Sequence, residues 1–98
     1  MGETLLVLDE GTTSTRAMVF APDGTMLRVV QADITQHYPR PGWVEHDASE
    51  IWDKTLACAR KAIGGDASAI AAIGITNQRE TVVAWDKASG EPLARAIV

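Results

Sequence analysis

The sequence predicts an α/β domain in which a mixed β-sheet carries one helix. Three observations lead there. Two runs, Leu5-Leu6-Val7-Leu8 and Ile70-Ala71-Ala72-Ile73-Gly74-Ile75, are apolar without alternation, as strands in the middle of a sheet are. A Pro-Asp-Gly turn, Pro22-Asp23-Gly24, separates two further strand-like segments. Between that pair and the second apolar run lies a helical segment with a capping signal, Asp47-Ala48-Ser49-Glu50.

The elements follow in order. Residues 4–9 form a first strand, apolar on both faces and therefore central. Residues 16–20 form a second. Ala21-Pro22-Asp23-Gly24 turns the chain, because Pro fixes φ early and Gly permits φ > 0 late. Residues 25–34 form a third strand with rough alternation. Tyr38-Pro39-Arg40-Pro41-Gly42 is a loop, since two prolines remove two backbone donors, and residues 43–46 extend it. The helix begins after Asp47, which is expected to accept from the N3 amide while Glu50 reaches back. It runs to Ile63 with Trp52, Leu56, Ala59 and Ile63 as its apolar stripe, and Gly64-Gly65 ends it. Residues 70–76 form a fourth strand, expected to be buried. Residues 81–85 form a fifth, and Asp86-Lys87-Ala88-Ser89-Gly90 is a turn. The first three strands pair antiparallel. The helix then crosses over to a strand parallel to the first. This order differs from the Rossmann order, in which a helix follows the first strand.

Composition narrows the function. Ninety-eight residues make one small domain at most. A domain of this size buries roughly 60–70 % of its unfolded surface, enough for a modest core. Hydrophobic residues make up 46 %, as in a globular chain. The net charge of −4, from nine Lys/Arg against thirteen Asp/Glu, and the lack of a basic run give no support to a nucleic-acid partner. No apolar run approaches the ~20 residues of a membrane span, and no secretory signal is visible. Cys58, the single cysteine, excludes an internal disulfide, and a reducing cytoplasm is the expected setting. The last residues, Leu93-Ala94-Arg95-Ala96-Ile97-Val98, read as a strand in progress, which leads us to expect a piece of a longer protein whose sheet edge is left open.

Two loops carry the chemistry. The first strand runs into Asp9-Glu10-Gly11-Thr12-Thr13-Ser14-Thr15-Arg16. A carboxylate at a strand end, then a tight turn of small hydroxyl residues, then an Arg, offers what a polyphosphate and its metal need. Converging N–H groups take the phosphates, and Asp9 holds Mg²⁺ through water. The same residues also suit an ordinary polar hairpin turn. The fourth strand runs into Thr76-Asn77-Gln78-Arg79-Glu80-Thr81. A guanidinium beside a carboxylate can donate to and accept from the hydroxyls of a small polyol, and it can equally be a solvated salt pair. The position beyond a strand's C-terminal end favours a site. Neither Gly-x-Gly-x-x-Gly nor Gly-x-x-x-x-Gly-Lys-Ser/Thr is present. Trp43, Trp52 and Trp85 read as core or loop anchors. His37 and His46 lack partner cysteines for a metal, and His46 reads as structural.

These two stretches, with Tyr38-Pro39-Arg40-Pro41-Gly42-Trp43-Val44-Glu45-His46-Asp47 between them, resemble the glycerol kinases of the FGGY sugar-kinase family. The similarity runs over nearly the whole chain, and the segment around Arg79-Glu80 is the most specific. The resemblance implies a ribonuclease-H-like domain of the actin/hexokinase class, with residues 1–98 forming only the first part of the N-terminal domain. It implies nucleotide phosphate contacts from Thr12, Thr13, Ser14 and Arg16, Mg²⁺ near Asp9, and glycerol hydroxyls held by Arg79 and Glu80. ATP would phosphorylate glycerol to sn-glycerol 3-phosphate, and the parent would be a cytoplasmic homo-oligomer. The catalytic base and the adenosine-binding domain would lie beyond Val98, so the 98-residue chain alone is expected to be inactive. Glu10 departs from the family, which usually has Gln there. A further negative charge beside phosphates weakens nucleotide binding unless it points away or meets the metal. A kinase for another sugar, a metal-dependent nuclease and a non-catalytic piece are the competing expectations.

Overall fold

The computed structural model describes residues 3–98, and its main sheet has the strand order β3-β2-β1-β5. Strand β1 is Thr4–Glu10, β2 is Ser14–Phe20 and β3 is Met26–Asp33. A two-residue strand β4, Glu45–His46, precedes helix α1, Ala48–Ile63. A short 3₁₀ turn, Ala67–Ala69, leads into β5, Ile70–Thr76, and β6 is Ala96–Ile97. Strands β1 and β2 pair antiparallel, as do β2 and β3, while β5 lies parallel to β1. The expected mixed sheet is therefore present, with β1 inside it. Strands β4 and β6 form a separate antiparallel pair, so the end of the chain is tied back to the segment before the helix.

The turns form as their chemistry requires. Gly24 adopts φ 91° and donates to the Ala21 carbonyl at 2.9 Å, closing the β2–β3 hairpin. The Asp86 carboxylate accepts from the Ala88 and Ser89 amides, each at 2.9 Å, in the second predicted turn.

The core lies between the sheet and α1. Alternation sends Leu6 and Leu8 of β1, and Ala17 and Val19 of β2, toward the helix. The helix answers with Cys58, Ala59 and Ala62. These small side chains let its axis approach β2 closely.

Several expectations need correction. The helix is rotated from the predicted stripe, which it keeps only in part: Ala59 is buried and Ile63 packs against the core, joined by Thr55, Cys58 and Ala62, whereas Trp52 is 60 % exposed. Size decides this, because an indole will not fit where α1 meets β2. The Asp47 side chain caps the Ser49 amide at 2.9 Å, one position before N3. Glu50 does not reach back. Its Oε2 accepts from the Thr35 hydroxyl at 2.8 Å and from Lys54 at 2.9 Å, which lowers its pKa from 4.5 to about 2, the Lys54 contact contributing most. Residues 81–85 form no strand; Val82 and Trp85 make only isolated bridges, to Ile97 and Pro92. Strand β5 is not buried, with Ile73 and Ile75 58 % and 70 % exposed. It is the edge of the sheet, and the helix does not extend over it. The three tryptophans are exposed as well, although Trp43 stacks under the Arg40 guanidinium at 5.0 Å.

Candidate active site at the ends of β1 and β5

Parallel pairing of β1 with β5 sets the site. Register places Asp9 opposite Thr76, so both strands end together and both loops leave from one end of the sheet. Two contacts lock this. The Thr76 hydroxyl donates to Asp9 Oδ1 at 2.7 Å, and Gln78 Nε2 donates to the Gly11 carbonyl at 2.9 Å. The segment carrying Arg79 and Glu80 is thus tied to the segment carrying Thr12 and Thr13, 67 residues apart in sequence at the Gln78 contact.

The turn between β1 and β2 is tight. The Gly11 amide donates to the Ser14 carbonyl at 3.0 Å, and a Cβ on Gly11 would lie 2.9 Å from that same oxygen. Only glycine fits there. Its carbonyls are all occupied: Gly11 by Gln78, Thr12 by Gln36 Nε2 at 3.0 Å, Thr13 by the Ile34 amide at 2.9 Å. In a trans peptide the carbonyl and the next N–H point in opposite directions. Holding the Gly11 and Thr12 carbonyls against the protein therefore turns the Thr12 and Thr13 amides outward. Those two amides donate to no acceptor among the described residues. Thr12 and Thr13 are exposed. An anion can be received here by backbone N–H groups.

Ser14 is 9 % exposed, and its hydroxyl accepts from Gln31 Nε2 at 3.0 Å. Arg16 is cross-strand from Asp9, and its Nε lies 3.9 Å from Asp9 Oδ2 with both side chains partly in solvent. Asp9, Arg16, Ser14, Gln31 and Thr76 share the sheet face opposite α1.

Glu10, one residue on from Asp9, points to the other face. Its Oε1 accepts from the Thr15 and Thr55 hydroxyls at 3.0 and 2.8 Å under α1, while Oε2 is buried without a partner. Its charge faces away from Asp9 and Arg16. No group of three or more metal-ligating side chains occurs among the described residues. One accessible carboxylate suits Mg²⁺ held largely by water and phosphate oxygens, and does not suit a cage built from protein alone.

Arg79 and Glu80 are exposed, and neither takes part in an ion pair or side-chain hydrogen bond among the described residues. They do not form the solvated salt pair that the sequence also allowed. Glu80 has φ 64°, the left-handed region that a residue with a Cβ occupies at a cost.

Sequence reasoning singled out Asp9, Thr12, Thr13, Ser14, Arg16, Arg79 and Glu80, and the structure gathers them at one end of the sheet. It missed the residues that hold them. Gln78 and Thr76 belonged to a visibly polar stretch, but nothing local marked Gln36.

Comparison with known proteins places the chain in a family. Residues 4–98 match the FGGY family of carbohydrate kinases, N-terminal domain. The chain is 60 % identical over 97 residues to a glycerol kinase of Dechloromonas aromatica (96 % of this chain, 19 % of the relative). It is 58 % identical over 99 residues to one of Rhodopirellula baltica (98 % and 18 %). It thus spans less than a fifth of the length of these two relatives. The crystal structure of Plasmodium falciparum glycerol kinase with ADP superposes with a TM-score of 0.84 at 32 % identity, covering 100 % of this chain and 21 % of that one. The xylulose kinase of Rhodospirillum rubrum gives 0.82 at 31 % identity, covering 96 % and 20 %. The sheet and helix correspond to the N-terminal portion of these sugar kinases, the actin/hexokinase-type fold expected from sequence. On the family match and these identities together, the chain belongs to the FGGY carbohydrate kinases, as part of their N-terminal domain.

Proposed function

We propose that this chain is the N-terminal part of an ATP-dependent glycerol kinase, which transfers the γ-phosphoryl group of ATP to a terminal hydroxyl of glycerol. The observation that carries the proposal is the meeting of the two loops through Thr76–Asp9 and Gln78–Gly11, which brings a phosphate-type turn beside an unpaired Arg–Glu couple. The identity to glycerol kinases supports glycerol as the polyol.

In this reading the Thr12 and Thr13 amides and the Arg16 guanidinium hold nucleotide phosphates, with Thr12, Thr13 and Ser14 offering hydroxyls. Asp9 would hold Mg²⁺ through water, and the bound ion would supply neutralisation of phosphate charge. Arg79 donates to glycerol hydroxyls and Glu80 accepts from them, fixing which hydroxyl faces the phosphate. Phosphoryl transfer depends mainly on such positioning and charge neutralisation. The base and the adenosine site come from outside residues 1–98. A cytoplasmic homo-oligomer is part of the same proposal; the lone, buried, unbridged Cys58 fits a reducing compartment, and the oligomer rests on family resemblance alone. No helix among the described residues is long and apolar enough to cross a membrane.

The test uses the full-length protein. Arg79→Ala is expected to raise KM for glycerol roughly 10-fold or more, the worth of a charge-assisted hydrogen bond, with KM for ATP nearly unchanged. An unaltered glycerol KM removes Arg79 from the site. The 98-residue chain by itself should release no ADP in a glycerol-dependent manner. Preference for a pentulose over glycerol in a substrate panel would move the assignment toward the xylulose kinases, which share the fold.

A further inference from the structure

His46 is completely buried, yet both its ring nitrogens are engaged. Nε2 lies 2.9 Å from Gln36 Oε1, and Nδ1 lies 3.2 Å from Gln78 Nε2. The orientation of each amide is fixed independently. Gln36 Nε2 already donates to the Thr12 and Ile34 carbonyls at 3.0 and 2.9 Å, so its oxygen must face the imidazole. Gln78 Nε2 donates to the Gly11 carbonyl, and its oxygen accepts from the Thr81 hydroxyl at 3.1 Å. The ring therefore carries its proton on Nε2 and accepts at Nδ1. Burial lowers its pKa below 6.5, in keeping with a neutral ring.

Two glutamines thus reach out from one imidazole to successive carbonyls of the phosphate turn. One of them, Gln78, directly precedes Arg79, and Thr81 closes the far side of Glu80. Resting on the functional reading above, we propose that His46 is a positioning residue. Through Gln36 and Gln78 it presets the outward Thr12 and Thr13 amides and ties them to the Arg79–Glu80 loop, so that filling the polyol site tightens the phosphate site. The coupling is mechanical in a simple sense. A polyol held by Arg79 and Glu80 restrains Gln78. A restrained Gln78 keeps the Gly11 carbonyl, and hence the Thr12 amide, in place. By linkage, bound nucleotide tightens polyol binding by the same factor.

The experiment measures Kd for MgADP by calorimetry on the full-length kinase, with and without saturating glycerol. Wild type should show a Kd ratio of roughly 5 or more, the low end of ordinary site-to-site coupling. His46→Phe keeps a buried ring but no nitrogen, and should bring the ratio close to one. His46→Gln, which retains a donor and an acceptor, should restore part of it. Gln36→Leu should weaken MgADP binding while leaving glycerol binding in the absence of nucleotide near wild type, and it serves where His46→Phe fails to fold. A wild-type ratio of one overturns the inference. So does an unchanged ratio in folded His46→Phe, or unchanged MgADP affinity in Gln36→Leu. These failures are distinct from failure of the functional reading, which would show as a wild-type protein that does not phosphorylate glycerol.

Discussion

Asp9 and Glu10 are neighbours in sequence, and strand alternation sends them to opposite faces of the sheet. Asp9 meets Thr76 and Arg16 on the face that carries the site. Glu10 meets Thr15 and Thr55 beneath the helix. That separation answers the concern raised by an acidic residue at position 10: its charge points away from the turn. Gly11, the next residue, has no room for a side chain. Gly11→Ala would press a methyl group to 2.9 Å from the Ser14 carbonyl oxygen, a backbone atom that cannot swing aside. We expect a loss of about 1–3 kcal/mol, as for overpacking elsewhere, read from the urea midpoint, together with weaker nucleotide binding as the turn opens. Unchanged stability would mean that the turn relaxes freely. The site residues named by sequence were legible because their types, Asp, Thr, Ser, Arg and Glu, announce the chemistry. Their supports were not, because Gln36 is ordinary in composition and gains its role only when β1, β4 and the β5 loop come together.

Helix α1 connects the two halves of the sheet and is held at its start by Asp47. Asp47→Ala should cost about 0.5–2 kcal/mol, the usual worth of an N-cap, visible as a lower unfolding midpoint. Glu50 adds a pH dependence at the same end. Its carboxyl titrates near 2 in the folded protein against 4.5 ordinarily, so the folded state binds the proton less readily. The contribution is full above pH 4.5 and is lost as pH falls toward 2. The pair with Lys54 is partly in solvent, so its worth is at most about 1 kcal/mol. Glu50→Gln should flatten the acid limb of stability over that interval; an identical acid limb would place the sensitivity elsewhere. The helix itself was legible from its cap, period and Gly64 stop. Its rotation was not. Hydrophobicity favoured Trp52 for the core as well as Ala59 and Ile63, which do pack there, but contact with β2 selects small side chains, and Glu10 draws Thr55 inward.

At the scale of the molecule, the radius of gyration is 15.2 Å, larger than the ~13 Å of a compact domain of about 100 residues. The sheet has one covering layer, and α1 leaves β5 bare. Leu5, Val29, Ile73, Ile75 and Leu93 are all exposed. Leu5 and Val29 lie on the face opposite α1, and Ile73 and Ile75 on the helix side beyond its reach, so apolar surface suited to further packing is left on both faces of the sheet. Purified alone, the 98-residue chain should brighten the dye ANS and scatter light as oligomers; a monomer that leaves ANS dark would show that these residues find cover within the chain. Sequence predicted the antiparallel pairing of the first three strands and a β5 parallel to β1 correctly, because hairpin turns and crossover connections constrain them. The burial of β5 was misjudged for a physical reason: apolar composition reports what a strand is suited to touch, and among the described residues α1 does not extend over it.

The register of β1 with β5 also sets a timetable for synthesis. The three-stranded meander is complete by Asp33, and its contacts are local enough to form early. The Asp9–Thr76 contact closes a span of 67 residues, so nothing resembling a binding cleft can exist on the ribosome until β5 has emerged and docked against a strand made long before. Until then β1, like β3, presents an unpaired edge that is open to mispairing while the chain is still emerging.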